Sequence, residues 1–263
     1  MQLSPEPQVF PPARPIGRAW LAPLALLVLA LPAHATVADI RDMADLSIEE
    51  LANIQITSVS KKSESLSGAA GSVFVITADD IRRSGASSVP EALRLAPNLQ
   101  VAQVSGYGYA ISARGLNGSN NSAPNKLLVL IDGRSVYTPL FSGVFWDSQE
   151  MMLEDVERIE VVSGPGGTLW GVNAVNGVIN IITRTARDTT GSLAALEAGT
   201  RGSAAAFRQG TATANGAWRV YGKHLERSHT ELANGGRVND ARHQSQLGFR
   251  ADWIRGDDSF SVN

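Results

Sequence analysis

The sequence predicts an α+β unit followed by a purely antiparallel β segment, and three observations carry that reading. Between residues 72 and 185, short apolar runs alternate with helix-start signals, the grammar of a mixed α and β globule. Past residue 187 the helix signals stop. Residues 245–253 there alternate strictly, with Leu247, Phe249, Ala251 and Trp253 on one side and Gln246, Gly248, Arg250 and Asp252 on the other. Between the two regions, RIEVVSGPGGTLWGVNAVNGVINIIT (residues 158–183) sets a glycine-dense bend between two strand-like runs.

The elements follow in order. Arg14 and Arg18 precede an apolar run over 19–31 and then Ala33-His34-Ala35, the pattern of a secretory signal peptide over 1–35 cut after Ala35. The run is shorter than the roughly 20 residues that span a bilayer, and it carries Pro23. Residues 36–65 form an N-terminal segment ahead of the globule. Ser47 with Glu50 predicts a capping box and a short helix there, followed by the β-branched run Ile54 to Ser60. The polar tract 61–71 has no apolar periodicity and reads as a flexible linker.

The globular unit covers 66–186. Val73-Phe74-Val75-Ile76 is expected to be a buried strand. Thr77 with Asp80 opens a helix that Gly85 stops, and Ser88 with Glu91 opens a second, with Pro90 in its first turn. Strands are expected at 99–104, 109–114 and 126–131, with Asp132-Gly133 as a hairpin turn into 134–137. Residues 187–263 are expected to be strands, with Asn215-Gly216 as a tight turn between two of them. Alternation alone leaves a membrane barrel and a soluble sandwich both open.

Composition removes several kinds of chemistry. The formal charge of −2 and the pI near 6.1 offer no basic surface for nucleic acid. With no cysteine, thiol catalysis, disulfides and cysteine-based metal sites are excluded. The glycines at 164 and 166 are followed by no lysine before Arg184, so there is no P-loop. Leu169 stands where a dinucleotide fingerprint wants its third glycine, and no G-x-S-x-G elbow occurs. After the signal only His224, His229 and His243 remain, and they read as solvated or lumen-facing side chains rather than metal ligands. Asp79 and Asp80 read as capping carboxylates in a first helical turn. Gly164, Pro165, Gly166 and Gly177 are then structural, making a fixed turn packed against another part of the chain.

GPGGTLWGVNAVNGVINIIT, VFVITADDIRRSGASSVPEALRLAPNLQV, ISARGLN and LLVLIDGRSVYTPLFSGVFWD together closely resemble, in order, the plug domain of TonB-dependent outer-membrane receptors. The resemblance covers about residues 60–190, and 191–263 resemble the first strands of the family's barrel. It implies an α+β plug domain followed by the start of an antiparallel transmembrane β-barrel, 22-stranded when complete. It also implies import of a ferric siderophore, cobalamin or similar ligand, with no catalytic residue, no cofactor and no resident metal. The implied partners are the TonB protein of the inner-membrane energising complex, the ligand and outer-membrane lipid. A 22-stranded barrel needs on the order of 450 residues, so the chain is expected to be an incomplete receptor.

Carried onto this sequence, Ile56, Thr57, Ser58, Val59 and Ser60 resemble the TonB box, an extended strand that lends its backbone to TonB. Tyr107, Tyr109, Tyr137, Phe141 and Trp146 fall in plug loops that face ligand in the family. Arg114 and Glu160 are the implied plug–barrel contacts. The family usually places an arginine immediately before the Gly-Pro pair, where this chain has Ser163. A rival reading is a soluble periplasmic ligand-binding module, in which 191–263 make a small antiparallel sheet.

Overall fold

The computed structural model describes residues 54–58, 61–69, 71–115, 126–256 and 258–263. The predicted signal peptide and 36–53 helix, and Val59 and Ser60 of the predicted box, lie outside the described residues. The first paired residues are β1 (Gln55–Ile56) and β2 (Glu64–Ser65). The globule then runs through β3 (Ser72–Thr77), α1 (Ala78–Ser84), α2 (Val89–Ala92), β4 (Leu99–Gln103), β5 (Tyr109–Ala113), β6 (Leu127–Ile131) and β7 (Arg134–Ser135). It closes with β8 (Val156–Ser163), α3 (Gly167–Trp170) and β9 (Gly177–Thr183). A meander of β10 (Gly191–Gly199), β11 (Gly202–Thr213), β12 (Gly216–Arg227), β13 (Arg242–Arg255) and β14 (Asp258–Val262) follows.

The central sheet has the order β3-β8-β9-β6-β7, with β6 parallel to β9 and the other pairs antiparallel. Its inner strands are nearly continuous apolar runs because both faces are covered. Val129, Ile159, Val161, Ile179 and Ile181 are all fully buried, each contributing about 1.5–3 kcal/mol of transfer free energy. The parallel β6·β9 pair requires a crossover, and the chain makes it through the β7 hairpin, β8 and the glycine-dense bend.

The bend is fixed by backbone bonds. Gly164 N–H donates to Asn176 O at 3.1 Å, and Gly166 N–H donates to Ala174 O at 2.8 Å. Gly164 has φ of 116°, a conformation that disfavours side chains. Gly177 is required by closeness instead, since a Cβ there would lie 2.5 Å from the Val162 carbonyl oxygen. The glycines therefore serve the packing of β8 against β9.

Local signals mostly hold. The Thr77–Asp80 capping box forms, and Gly85 ends α1 in the left-handed region at φ 67°. Asp132 and Gly133 both have positive φ, as a type I′ turn needs. Four expectations are corrected. Val73-Phe74-Val75-Ile76 is not buried throughout: β3 is a sheet edge, and Phe74 is 37% exposed while Ile76 is fully buried. Ser88 is the N-cap of α2 but makes no side-chain cap bond, and the Glu91 carboxylate that would complete a capping box is held by Arg94 and Tyr109. The turn between β11 and β12 falls on 214–215, with Gly216 already paired to Thr213. The 61–71 tract is no free linker, since β2 within it pairs with β1 and Leu66 N–H donates to Ile54 O at 2.8 Å.

Gly177→Val is expected to destabilise the chain by about 1–3 kcal/mol or more through overpacking against backbone. Urea unfolding in detergent, followed by tryptophan fluorescence, should show the lower midpoint.

Candidate functional site

The five-stranded meander sorts its side chains by face. On β13, Leu247 is 87% exposed and Phe249 and Trp253 also point outward, whereas Arg250 turns to the globule. Leu196, Phe207, Trp218, Val220 and Phe260 extend the apolar outer face across the neighbouring strands. Trp253 stacks on Phe260 with ring centroids 5.7 Å apart. His224 also faces outward, bonded to Ser245 at 2.8 Å. An apolar outward row and a polar inward row on the same strands is the arrangement of a wall between lipid and a filled lumen.

The inward row is cationic and grips the globule. Arg208 bonds Asp155, and Arg219 Nε lies 3.3 Å from the second Asp155 oxygen. Arg219 Nη1 also donates to Arg184 O at 2.8 Å and to Thr189 Oγ1 at 3.0 Å. Lys223 Nζ reaches Glu150 at 2.5 Å and Met151 O at 3.0 Å. Arg250 donates to Thr183 Oγ1 at 2.7 Å, and Asp252 accepts from Ala186 N–H at 2.6 Å. The signal that would have found this seam is the period-two run Arg219, Tyr221, Lys223, Leu225, Arg227 on β12. Reading each histidine and turn separately missed it.

The predicted box segment is docked. Ile56 is fully buried and Ser58 is nearly so. Glu160, with no exposure at all, accepts from Thr57 N–H at 3.1 Å, from Ser58 N–H at 2.9 Å, from the Ser58 hydroxyl and from Arg158 Nε at 2.8 Å. Trp170 Nε1–H donates to Ser58 O at 2.7 Å, and Lys61 sits 4.7 Å from the centre of the Trp170 ring. Among the described residues, Glu160 is thus bonded to the N-terminal segment and Arg158. Arg114 is exposed at φ 58°, with no ion pair among the described residues. Ser163 bonds Asn98 within the globule.

The two ends of the meander differ. At one end β11 and β12 reverse through residues 214–215, and at the other residues 228–241 form a longer loop. The 228–241 end, which also carries the two-residue turn 200–201, is the outer end on the proposal that long loops face the exterior in such walls. A cavity of about 840 Å3 lies there between Glu91, Arg94 and Tyr109 of the globule and Arg201, Arg227 and His229 of the strand ends. Of the five predicted ligand-facing aromatics, Tyr109 lines this cavity and Tyr107 is 45% exposed. Trp146 is buried, Tyr137 is half-buried, and the side chain of Phe141 lies outside the described residues. The five do not form one aromatic platform. Tyr109 OH donates to Glu91 at 2.9 Å. Burial first, and then the Glu91 bond and charge, push its hydroxyl up to about 12.

A globule held by the inward face of apolar-backed antiparallel strands is a plugged β-barrel in its class. A family description, TonB-dependent Receptor Plug Domain, matches residues 65–178. Those residues match that family, and the open antiparallel strands that follow resemble barrel strands in fold. Among curated proteins, the vitamin B12 transporter BtuB of Vibrio vulnificus is 34% identical over 130 residues, 49% of this chain and 20% of the transporter. The chain therefore spans about a fifth of that relative's length. Among solved structures, the copper transporter OprC matches with a TM-score of 0.56 at 20% identity, covering 71% of this chain and 28% of OprC. The ferric yersiniabactin uptake receptor FyuA of Yersinia pestis matches at 0.54 and 19%, covering 73% and 30%. At such identities the structural likeness establishes fold.

Two outcomes follow. Asp155→Ala leaves the Arg208 and Arg219 guanidinium groups buried without their carboxylate and should cost about 3–5 kcal/mol, read as a lower thermal midpoint in detergent. Tyr109 favours the neutral form when folded, so its contribution to stability is complete below about pH 10 and lost as pH rises through about 12. Tyrosinate absorbance should therefore show a late ionisation step that Tyr109→Phe removes.

Proposed function

We propose that this chain is the plug and opening wall of an outer-membrane receptor that imports a scarce ligand, a cobalamin, ferric siderophore or similar chelate, with energy from TonB. The observation that carries the reading is the segregation of β10–β14 into an apolar outer face and a cationic inner face seated on the plug. A soluble binding module has no use for Leu196 and Leu247 at 87% exposure. Export through a cleaved signal peptide over 1–35 is part of the same proposal.

In this reading Ile56 to Ser60 is the TonB-pairing strand, offering its backbone to a sheet edge of the partner. The amides of Thr57 and Ser58 are occupied by Glu160, so pairing with TonB competes with docking on the plug. Tyr107 and Tyr109 are the plug aromatics best placed for ligand, and the outer cavity is the candidate binding chamber. The similarity to vitamin B12 transporters makes cyanocobalamin the first probe.

The coupling step is tested with Val59→Pro in the receptor expressed at the full length of its gene. Proline removes a backbone donor that strand pairing needs. Cyanocobalamin uptake by cells should fall to background while its binding to isolated outer membranes persists. Unchanged uptake rejects this segment as the TonB-pairing strand. A mature chain that stays monomeric in water without detergent points to the soluble module instead.

A further inference from the structure

The outer loop 228–241 meets the plug at its root, through Asp240 within it and through Arg227 and Arg242 that flank it. Asp240, 7% exposed, accepts from Gly106 N–H at 2.7 Å, from Thr230 N–H at 2.7 Å and from Thr230 Oγ1 at 2.6 Å. One carboxylate therefore joins the plug loop before β5 to the start of the outer loop. The joint is tight, since a Cβ on Gly106 would lie 2.5 Å from the Asp240 carbonyl oxygen. The Thr230 hydroxyl and amide, with the Gly106 amide, hold the Asp240 carboxyl below the usual carboxylate range.

Two residues on, Arg242 takes the other plug loop. Its Nη2 donates to Asp147 O at 3.0 Å, its Nη1 lies 3.4 Å from the Asp147 carboxylate, and its guanidinium sits 5.6 Å from the centre of the Tyr107 ring. Gly106 and Thr230, the partners of Asp240, both line the 840 Å3 cavity. Asp240 stands behind the line where the plug and the outer loop meet to form the cavity wall.

We propose that Asp240 is a positioning residue for ligand recognition: it fixes Gly106 and Thr230 so that the plug loop and the outer loop present one continuous cavity wall, with Arg242 holding the adjoining Tyr107. The proposal rests on the reading of that cavity as the ligand chamber. A ligand bridging plug and outer loop meets a preset surface and loses little entropy in ordering it. Without the carboxylate, both loops must be ordered by the ligand itself.

The test compares wild-type receptor, expressed at the full length of its gene, with Asp240→Ala, Asp240→Asn and Gly106→Ala. Hydrogen exchange of outer-membrane preparations reads the joint without any ligand. In Asp240→Ala, exchange over residues 104–109 should rise about tenfold or more, while residues 156–163 stay unchanged. Uptake kinetics with cyanocobalamin read recognition. The KM should rise about tenfold in Asp240→Ala and Gly106→Ala, with the maximal rate within about twofold of wild type. Asp240→Asn, which keeps an acceptor for Gly106, should recover most of the KM. Unchanged exchange over 104–109 overturns the proposal, as does a loss shared equally by KM and maximal rate with asparagine no better than alanine. If the wild-type receptor takes up no cyanocobalamin, the ligand proposed above falls, and the exchange result alone decides the positioning role.

Discussion

Asp155, just ahead of β8, and Glu160, in its middle, are both buried, and the rest of the molecule is arranged around satisfying them. A carboxylate is held away from water only where donors close around it. Asp155 takes a hydrogen bond from Arg208 on one wall strand and lies within ion-pair distance of Arg219 on the next, its second oxygen accepting no hydrogen bond among the described residues. Glu160 draws two backbone amides and a hydroxyl from the N-terminal segment. Each carboxylate thus gathers a different part of the chain to the same strand. β8 can serve both because it lies inside the sheet, between β3 and β9, where its register is set on both sides. A one-residue slip would turn Glu160 to the opposite face and leave the docked segment without its acceptor.

The wall obeys a second constraint, that each strand must satisfy two solvents at once. Period-two alternation is the only sequence solution for a strand with lipid on one side and a polar filling on the other. The inward face of β12 carries the cations Arg219, Lys223 and Arg227 among Ala217, Tyr221 and Leu225, and these cations cross the gap to the plug by side chain rather than by backbone pairing. The plug answers with carboxylates and carbonyls near strand ends and in loops: Asp132, Asp147, Glu150, Asp155 and the carbonyls of residues 151 and 184. Some of these contacts, such as Arg242 with Asp147, are partly open to water, whereas the Asp155 cluster and the apolar core around Ile159, Ile179 and Val129 are not. The boundary between plug and wall is therefore chemically distinct from the interior of the plug.

Much of this was legible in the residues. Capping at Thr77 and Gly85, the Asp132-Gly133 turn, the central strands and the outward alternation at 247–253 are local signals, and each agrees with the tertiary structure. What was not legible depended on distant partners. Glu160 pairs with residues more than a hundred positions away, and nothing local distinguishes it from a solvated glutamate. The polar tract after Lys61 lacks apolar periodicity because its order comes from a backbone ladder and from Trp170, not from a buried face of its own. Ser88 does stand at the N-cap of α2, but without a side-chain cap bond, and the Glu91 carboxylate is held by Tyr109 and Arg94.

The charges at the plug–wall seam also carry a sign that resemblance alone did not supply. The family pattern implies plug arginines facing wall glutamates, but the position before Gly164 is Ser163, tied to Asn98 inside the plug. In the strands described here the wall supplies most of the guanidinium groups and the plug most of the acceptors, although Asp252 of the wall accepts from Ala186 N–H. Coulomb attraction is indifferent to that exchange, but geometry is not. An arginine fork reaches several acceptors at once, as Arg219 does with Asp155, Arg184 and Thr189. A wall of arginines can therefore seize backbone carbonyls as well as carboxylates, which a wall of glutamates cannot.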